Sequence, residues 1–146
     1  MKEKIIKKSE ELFLTLGFKN VTMDDIATGL GISKKTIYAH FSNKTELVSA
    51  VTFSVLEYIY RGIEQIKKNA INPIEELYDT KLFLINFLKK ERVSAQYQLK
   101  KYYPKIFDQL QVKKFQKMHS SVENSLKKGV ELQLFRPEID TAFISR

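Results

Sequence analysis

From residue 2 to residue 16, Ile5, Leu12, Phe13 and Leu16 recur at the three- and four-residue spacing that lines one face of a helix. Small Ser9 lies between them, and lysines and glutamates occupy the opposite side. Gly17 follows as the left-handed residue expected to end that helix, with Phe18 able to fold back on the last turn. Thr22 and Asp25 have the spacing of a capping box and predict a short second helix with Ile26, Ala27 and Leu30 inside. Gly31 turns the chain and Ile32 plugs the corner. Ser33 then caps a third helix of about two turns, in which Ile37 and Phe41 face inward. Asn43 and Glu46 repeat the capping logic and open a fourth helix, whose stripe of Leu47, Val48, Val51, Val55, Ile59, Ile63 and Ile66 runs on toward Asn69 and connects the two halves of the chain.

Asn72 as cap, Pro73 at the first helical position and Glu75 and Glu76 in the first turn announce a fifth helix. Its predicted inward stripe is Ile74, Leu77, Tyr78, Leu82, Ile85 and Leu88, with Phe83 and Phe87 widening the face, which implies neighbours on more than one side. A segment from about Ser94 to Tyr103 is stopped by Pro104. A longer one follows through Phe115, Met118, Val122 and Leu126 to Gly129 or just beyond, and another helix begins after "FRPEID". The pattern contains no internal repeat and predicts no strand, so the fold class is all-α.

Composition narrows the function. The 146 residues are 43% apolar and 29% charged, with five glycines and three prolines, as suits a packed helical protein. Cysteine is absent, so disulfides and thiolate metal sites are excluded, and His40 and His119 are far apart. No cofactor or metal is expected. Without a cysteine nucleophile, a glycine-rich phosphate loop or paired histidines at metal spacing, and with Asp24–Asp25 and Glu75–Glu76 both in first turns, catalysis is not the expected activity. The N-terminus lacks a signal-peptide run, and no stretch of about 18 apolar residues exists, so the chain reads as cytoplasmic with no membrane partner.

The net charge of +8 favours an anionic partner, but it is spread along the chain, +2 over residues 1–50 and +6 over the remainder. The local pattern is sharper: residues 31–45 carry Lys34, Lys35 and Lys44 and no acid. Taken singly, a lysine pair on a short helix reads as a solvated face, and Tyr38 and His40 read equally well as packing residues. The conjunction of a capped helix, a Gly corner, a second capped helix and a lysine opening a third points instead to double-stranded DNA. In a major groove Lys34 and Lys35 can reach guanine acceptors or phosphates, and Thr36 can offer a hydroxyl to a base edge and a methyl to thymine. Tyr38 and His40 can donate to phosphates, while Thr22 and Lys44 sit in first turns where free amides already attract an anion.

The run "LFLTLGFKNVTMDDIATGLGISKKTIYAHFSNKTELV", and "GISKKTIYAHFSNKTEL" within it, resembles the DNA-binding domain of the TetR family of one-component transcriptional repressors. The resemblance covers about a third of the chain. It implies a helix-turn-helix domain over residues 1–47 and a helical ligand-binding and dimerisation domain over residues 48–146. Base reading falls on Lys34, Lys35 and Thr36, and phosphate contacts on Thr22, Tyr38, His40 and Lys44. The implied activity is that of a dimeric repressor on a palindromic operator, released by a small hydrophobic or amphipathic ligand. Phe83, Phe87, Tyr97, Tyr102 and Phe115 are candidate pocket walls. "LQLFRPEID" resembles the family's passage between its seventh and eighth helices, with Gln133 where a glycine is common. Members typically continue with two dimerising helices, and the chain stops at the start of the first, so it reads as a C-terminally short member. A helical interaction module derived from such a regulator, without specific DNA binding, is the alternative.

Overall fold

The computed structural model describes residues 1–90 and 94–145, and among them eight helices and no strand. These are α1 (Lys2–Leu16), α2 (Met23–Leu30), α3 (Lys34–Tyr38), α4 (Lys44–Asn69), α5 (Pro73–Leu88), α6 (Ala95–Tyr102), α7 (Pro104–Glu131) and α8 (Thr141–Ile144). The all-α expectation holds, and so do the ends of the long α4. The chain forms two compact units, one of Met1–Tyr58 with Leu88–Leu110, the other of Ile59–Phe87 with Gln111–Arg146.

In the first unit α1 packs on α2 and α2 on α3. Ile5, Ser9 and Phe13 are fully buried along α1, and the Ser9 hydroxyl donates to the Ile5 carbonyl at 2.7 Å, which allows a polar side chain in the core. Leu16, expected inside, is exposed. At that end of α1 the ring of Phe18 folds back on Phe13, with centroids 4.9 Å apart, and fills the space instead. Gly17 does not take the left-handed helical conformation: its φ of 89° and ψ of 154° lie in another region open to glycine. The Gln98 amide of α6 occupies the position a Cβ there would need, and its Oε1 accepts from the Phe18 amide at 2.7 Å. Buried Leu47, Val48, Val51 and Leu56 of α4, Ala95 and Leu99 of α6 and Ile106 and Leu110 of α7 complete this core. Thr52 is also buried here, and its hydroxyl has no hydrogen-bond partner among the described residues.

The second unit departs further from the sequence pattern. Asn72 Oδ1 accepts from the Ile74 and Glu75 amides, and Glu75 reaches back to the Ile71 amide, so the start of α5 is capped as expected. Its stripe is not buried: Ile74, Tyr78, Leu82, Ile85 and Leu88 are all exposed. Pro73 and Glu76 point inward instead, and Phe83 lies against Gly62 of α4. Glu76, read from sequence as a first-turn charge, accepts a short hydrogen bond from the buried Ser125 hydroxyl of α7. At the end of α7, Gln133 has φ 59° and the Leu134 amide returns to the Gly129 carbonyl at 2.9 Å. The position where a glycine is common does take the left-handed conformation here, with glutamine in it.

Candidate nucleic-acid interface

The presentation of α3 begins with its caps. Ser33 Oγ accepts from the Thr36 amide at 3.2 Å and starts the helix. The preceding corner is closed by Gly31 at φ 66°, with the Ile32 amide returning to the Ala27 carbonyl at 3.0 Å. Ile37 and Phe41 are fully buried and act as two pins that fix the rotation of α3 about its axis. The helix is shorter than the two turns expected and ends at Tyr38, and Lys34, Lys35 and Tyr38 within it and His40 just after it are exposed. Thr36 is half-buried, and its hydroxyl lies 2.9 Å from that of Ser33.

A carboxylate organises the flanking groups. Asp25 completes the capping box of α2, with its amide donating to Thr22 Oγ1 at 3.1 Å and its Oδ2 accepting from the Thr22 amide at 2.8 Å. Those hydrogen bonds hold the Asp25 carboxyl below its ordinary pKa, and the Lys44 ammonium adds to the effect. Partial burial holds Lys44 in turn below the usual lysine value, against the opposing pull of Asp25. Thr22 and Lys44, twenty-two positions apart in sequence, therefore both act on the same carboxylate. Glu46 opens α4 in a similar way: its amide donates to Asn43 Oδ1 at 2.9 Å, and its carboxylate accepts from the Ser42 amide at 2.7 Å, which lowers its pKa.

Two neighbours of α3 had no signal in the sequence. Lys34 Nζ lies 3.2 Å from Asp24 Oδ2, an ion pair between the first turns of α2 and α3. Lys2, at the start of α1, places its ammonium 5.4 Å from the centre of the Phe41 ring. Each is a tertiary adjacency across ten or more residues that no helical periodicity encodes.

The candidate pocket residues divide between the units. Tyr97 and Tyr102 belong to the first, both exposed, with Tyr102 approached by Lys19 at 5.3 Å and Lys101 at 5.4 Å. Phe83, Phe87 and Phe115 belong to the second, the first two half-buried and Phe115 exposed beside His119. His119 also stands between Ser145 Oγ, at 3.3 Å, and the Glu123 carboxylate, at 3.7 Å. The order hydroxyl, imidazole, carboxylate invites comparison with a nucleophile triad. However, 3.7 Å is beyond a hydrogen bond, and Ser145 Oγ already donates to the Ala142 carbonyl. Among the described residues no group of three or more His, Asp or Glu side chains could hold a metal ion, and no helix is long and apolar enough to cross a membrane.

Residues 5–51 match the family described as bacterial regulatory proteins, tetR family. Over these residues the chain is similar to TetR-family regulators. Over 150 residues it is 27% identical to the HTH-type transcriptional repressor KstR2 of Mycolicibacterium smegmatis, a match covering 99% of this chain and 72% of that protein. Over 88 residues it is 31% identical to the biofilm operon icaADBC negative transcriptional regulator IcaR of Staphylococcus aureus, covering 60% of this chain and 46% of IcaR. The crystal structure of a TetR regulatory protein from Rhodobacter sphaeroides superposes with a TM-score of 0.79 at 15% identity, over 98% of this chain and 79% of that one, which shows a shared fold.

Proposed function

We propose that this chain is a ligand-responsive repressor of the TetR family that lays α3 into the major groove of its operator. The observation that carries the reading is the burial of Ile37 and Phe41, which leaves Lys34, Lys35, Tyr38 and His40 exposed together. Lys34, Lys35 and Thr36 meet base edges. Tyr38, His40, Thr22 and Lys44 meet phosphates. The names of KstR2 and IcaR as repressors support the direction of control.

Residues 1–47 act as the DNA-binding domain and residues 48–146 as the ligand-binding and dimerisation domain, with Phe83, Phe87 and Phe115 of the second unit offered to a small hydrophobic or amphipathic ligand. The functional unit is a homodimer on a palindromic site, its two recognition helices about 34 Å apart. Salt-titrated binding to an operator selected from a random duplex library tests the interface. Lys34→Ala and Tyr38→Ala each weaken binding, and Tyr38→Ala leaves the salt slope nearly unchanged, since its neutral hydroxyl releases no counterion; unchanged affinity in both removes α3 from the interface.

The exposed stripe of α5 supports a second reading, a helical interaction module derived from such a regulator. A chain that sediments as a strict monomer and selects no duplex from the library fits that reading alone.

A further inference from the structure

Asp24 and Asp25 are adjacent in sequence, yet they do different work. Asp25 caps α2 by its hydrogen bonds with Thr22. Among the described hydrogen bonds, the Asp24 carboxylate has a single partner, the Lys34 ammonium at 3.2 Å. The pair bridges the two helices of the helix-turn-helix at their N-terminal ends. It is open to water, the Asp24 side chain 72% exposed and that of Lys34 47%. An ion pair so exposed changes a folding equilibrium about fivefold at most. Stability therefore gives it little purpose, and its place within the DNA-facing groups decides what it does.

We infer that Asp24 is a specificity-determining residue, because it neutralises Lys34 until a base edge takes the lysine from it. The inference rests on the DNA-binding reading given above. On an unrelated sequence the protein is held by phosphates, and each cation that neutralises one releases counterions and adds about 0.9 to the salt slope. A Lys34 already paired with Asp24 adds little to that term, and the carboxylate itself repels the backbone. On the operator, fixed acceptors in the major groove compete for the same ammonium. A well-placed contact to a base edge discriminates about 5- to 150-fold, which outweighs the exposed pair. Lys34 thus changes partners only where the correct base is present, so Asp24 lowers affinity everywhere but lowers it least at the operator.

The test uses the full chain, the selected operator and an unrelated duplex of equal length, titrated between about 50 and 200 mM salt. Asp24→Asn keeps the side-chain shape and leaves the Thr22–Asp25 cap intact. It is expected to tighten binding to the unrelated duplex about three- to tenfold and to steepen its salt slope by up to about one, with a smaller change on the operator. The ratio of the two affinities therefore falls. In a Lys34→Met background the same substitution is expected to have a much smaller effect, since no ammonium is left to release.

An equal effect in both backgrounds means that Asp24 acts only as a general negative charge, and overturns the inference. So does a variant that tightens both duplexes equally or neither. A wild-type chain that binds no duplex overturns the DNA-binding reading itself, and this inference with it.

Discussion

The α1–α3 region and α5 carry equally clear apolar periodicity, and the fold treats them in opposite ways. In the first region the periodic positions Ile5, Phe13, Ile26, Ile37 and Phe41 are all buried. In α5 the periodic positions Ile74, Tyr78, Leu82 and Ile85 are exposed, while a proline and a glutamate face inward. Periodicity reports that a helix has an apolar face; it does not report what covers that face. Three short helices joined by tight corners must pack on one another, so their apolar faces have a single destination. In α5 the steric fit of Phe83 to Gly62 instead selects the side that packs on α4.

The largest effect that separates the two regions is expected from truncation. Phe41→Ala should cost about 3–5 kcal/mol in urea unfolding and abolish DNA binding by freeing α3 to rotate, whereas Tyr78→Ala in the exposed stripe should stay within about 0.5 kcal/mol. Equal losses would show the α5 stripe to be core after all. The inner face of α5 is probed next by Gly62→Ala, which drives a methyl group into the Phe83 ring and should cost about 1–3 kcal/mol; a neutral result would detach α5 from α4.

Smaller again is Thr52→Val, which removes a buried hydroxyl without a partner among the described residues and should raise stability by up to about 1 kcal/mol. A loss of that size would mean that the hydroxyl is paired. The subtlest effect is on pH dependence. Asp25 and Glu46 both have lowered pKa values, so their caps stabilise the fold above the ordinary carboxylate range near pH 4, and that contribution disappears as pH falls through their folded-state values. Asp25→Asn and Glu46→Gln should each flatten the acid limb of Tm against pH. No comparable change is expected from Glu3→Gln, which carries no cap.

The exposed arc around α3 was legible because its determinants are local. The caps at Thr22, Ser33, Asn43 and Asn72 each depend on a side chain and an amide two or three residues away, and all four form. The spacing of Ile37 and Phe41 likewise decides which residues of α3 face outward. The same locality explains the errors. Leu16 has the right spacing but loses its place to Phe18, a residue outside the helix. Glu76 looked like a first-turn charge until Ser125, forty-nine positions later, supplied its donor. Gln133 marks the reverse case, where a left-handed turn forms without the glycine that usually signals it.

By itself, then, the sequence determined the helices, their caps, the corner at Gly31 and the outward set Lys34, Lys35, Tyr38 and His40, because hydrogen bonds within a turn and a 3.6-residue period act over a few residues. Tertiary structure alone decided that α5 turns its apolar stripe to solvent, that the Lys44 ammonium acts on the Asp25 carboxyl, and that Asp24 holds Lys34. Those outcomes depend on which surfaces meet after the chain has turned, and on charges that become neighbours only in three dimensions.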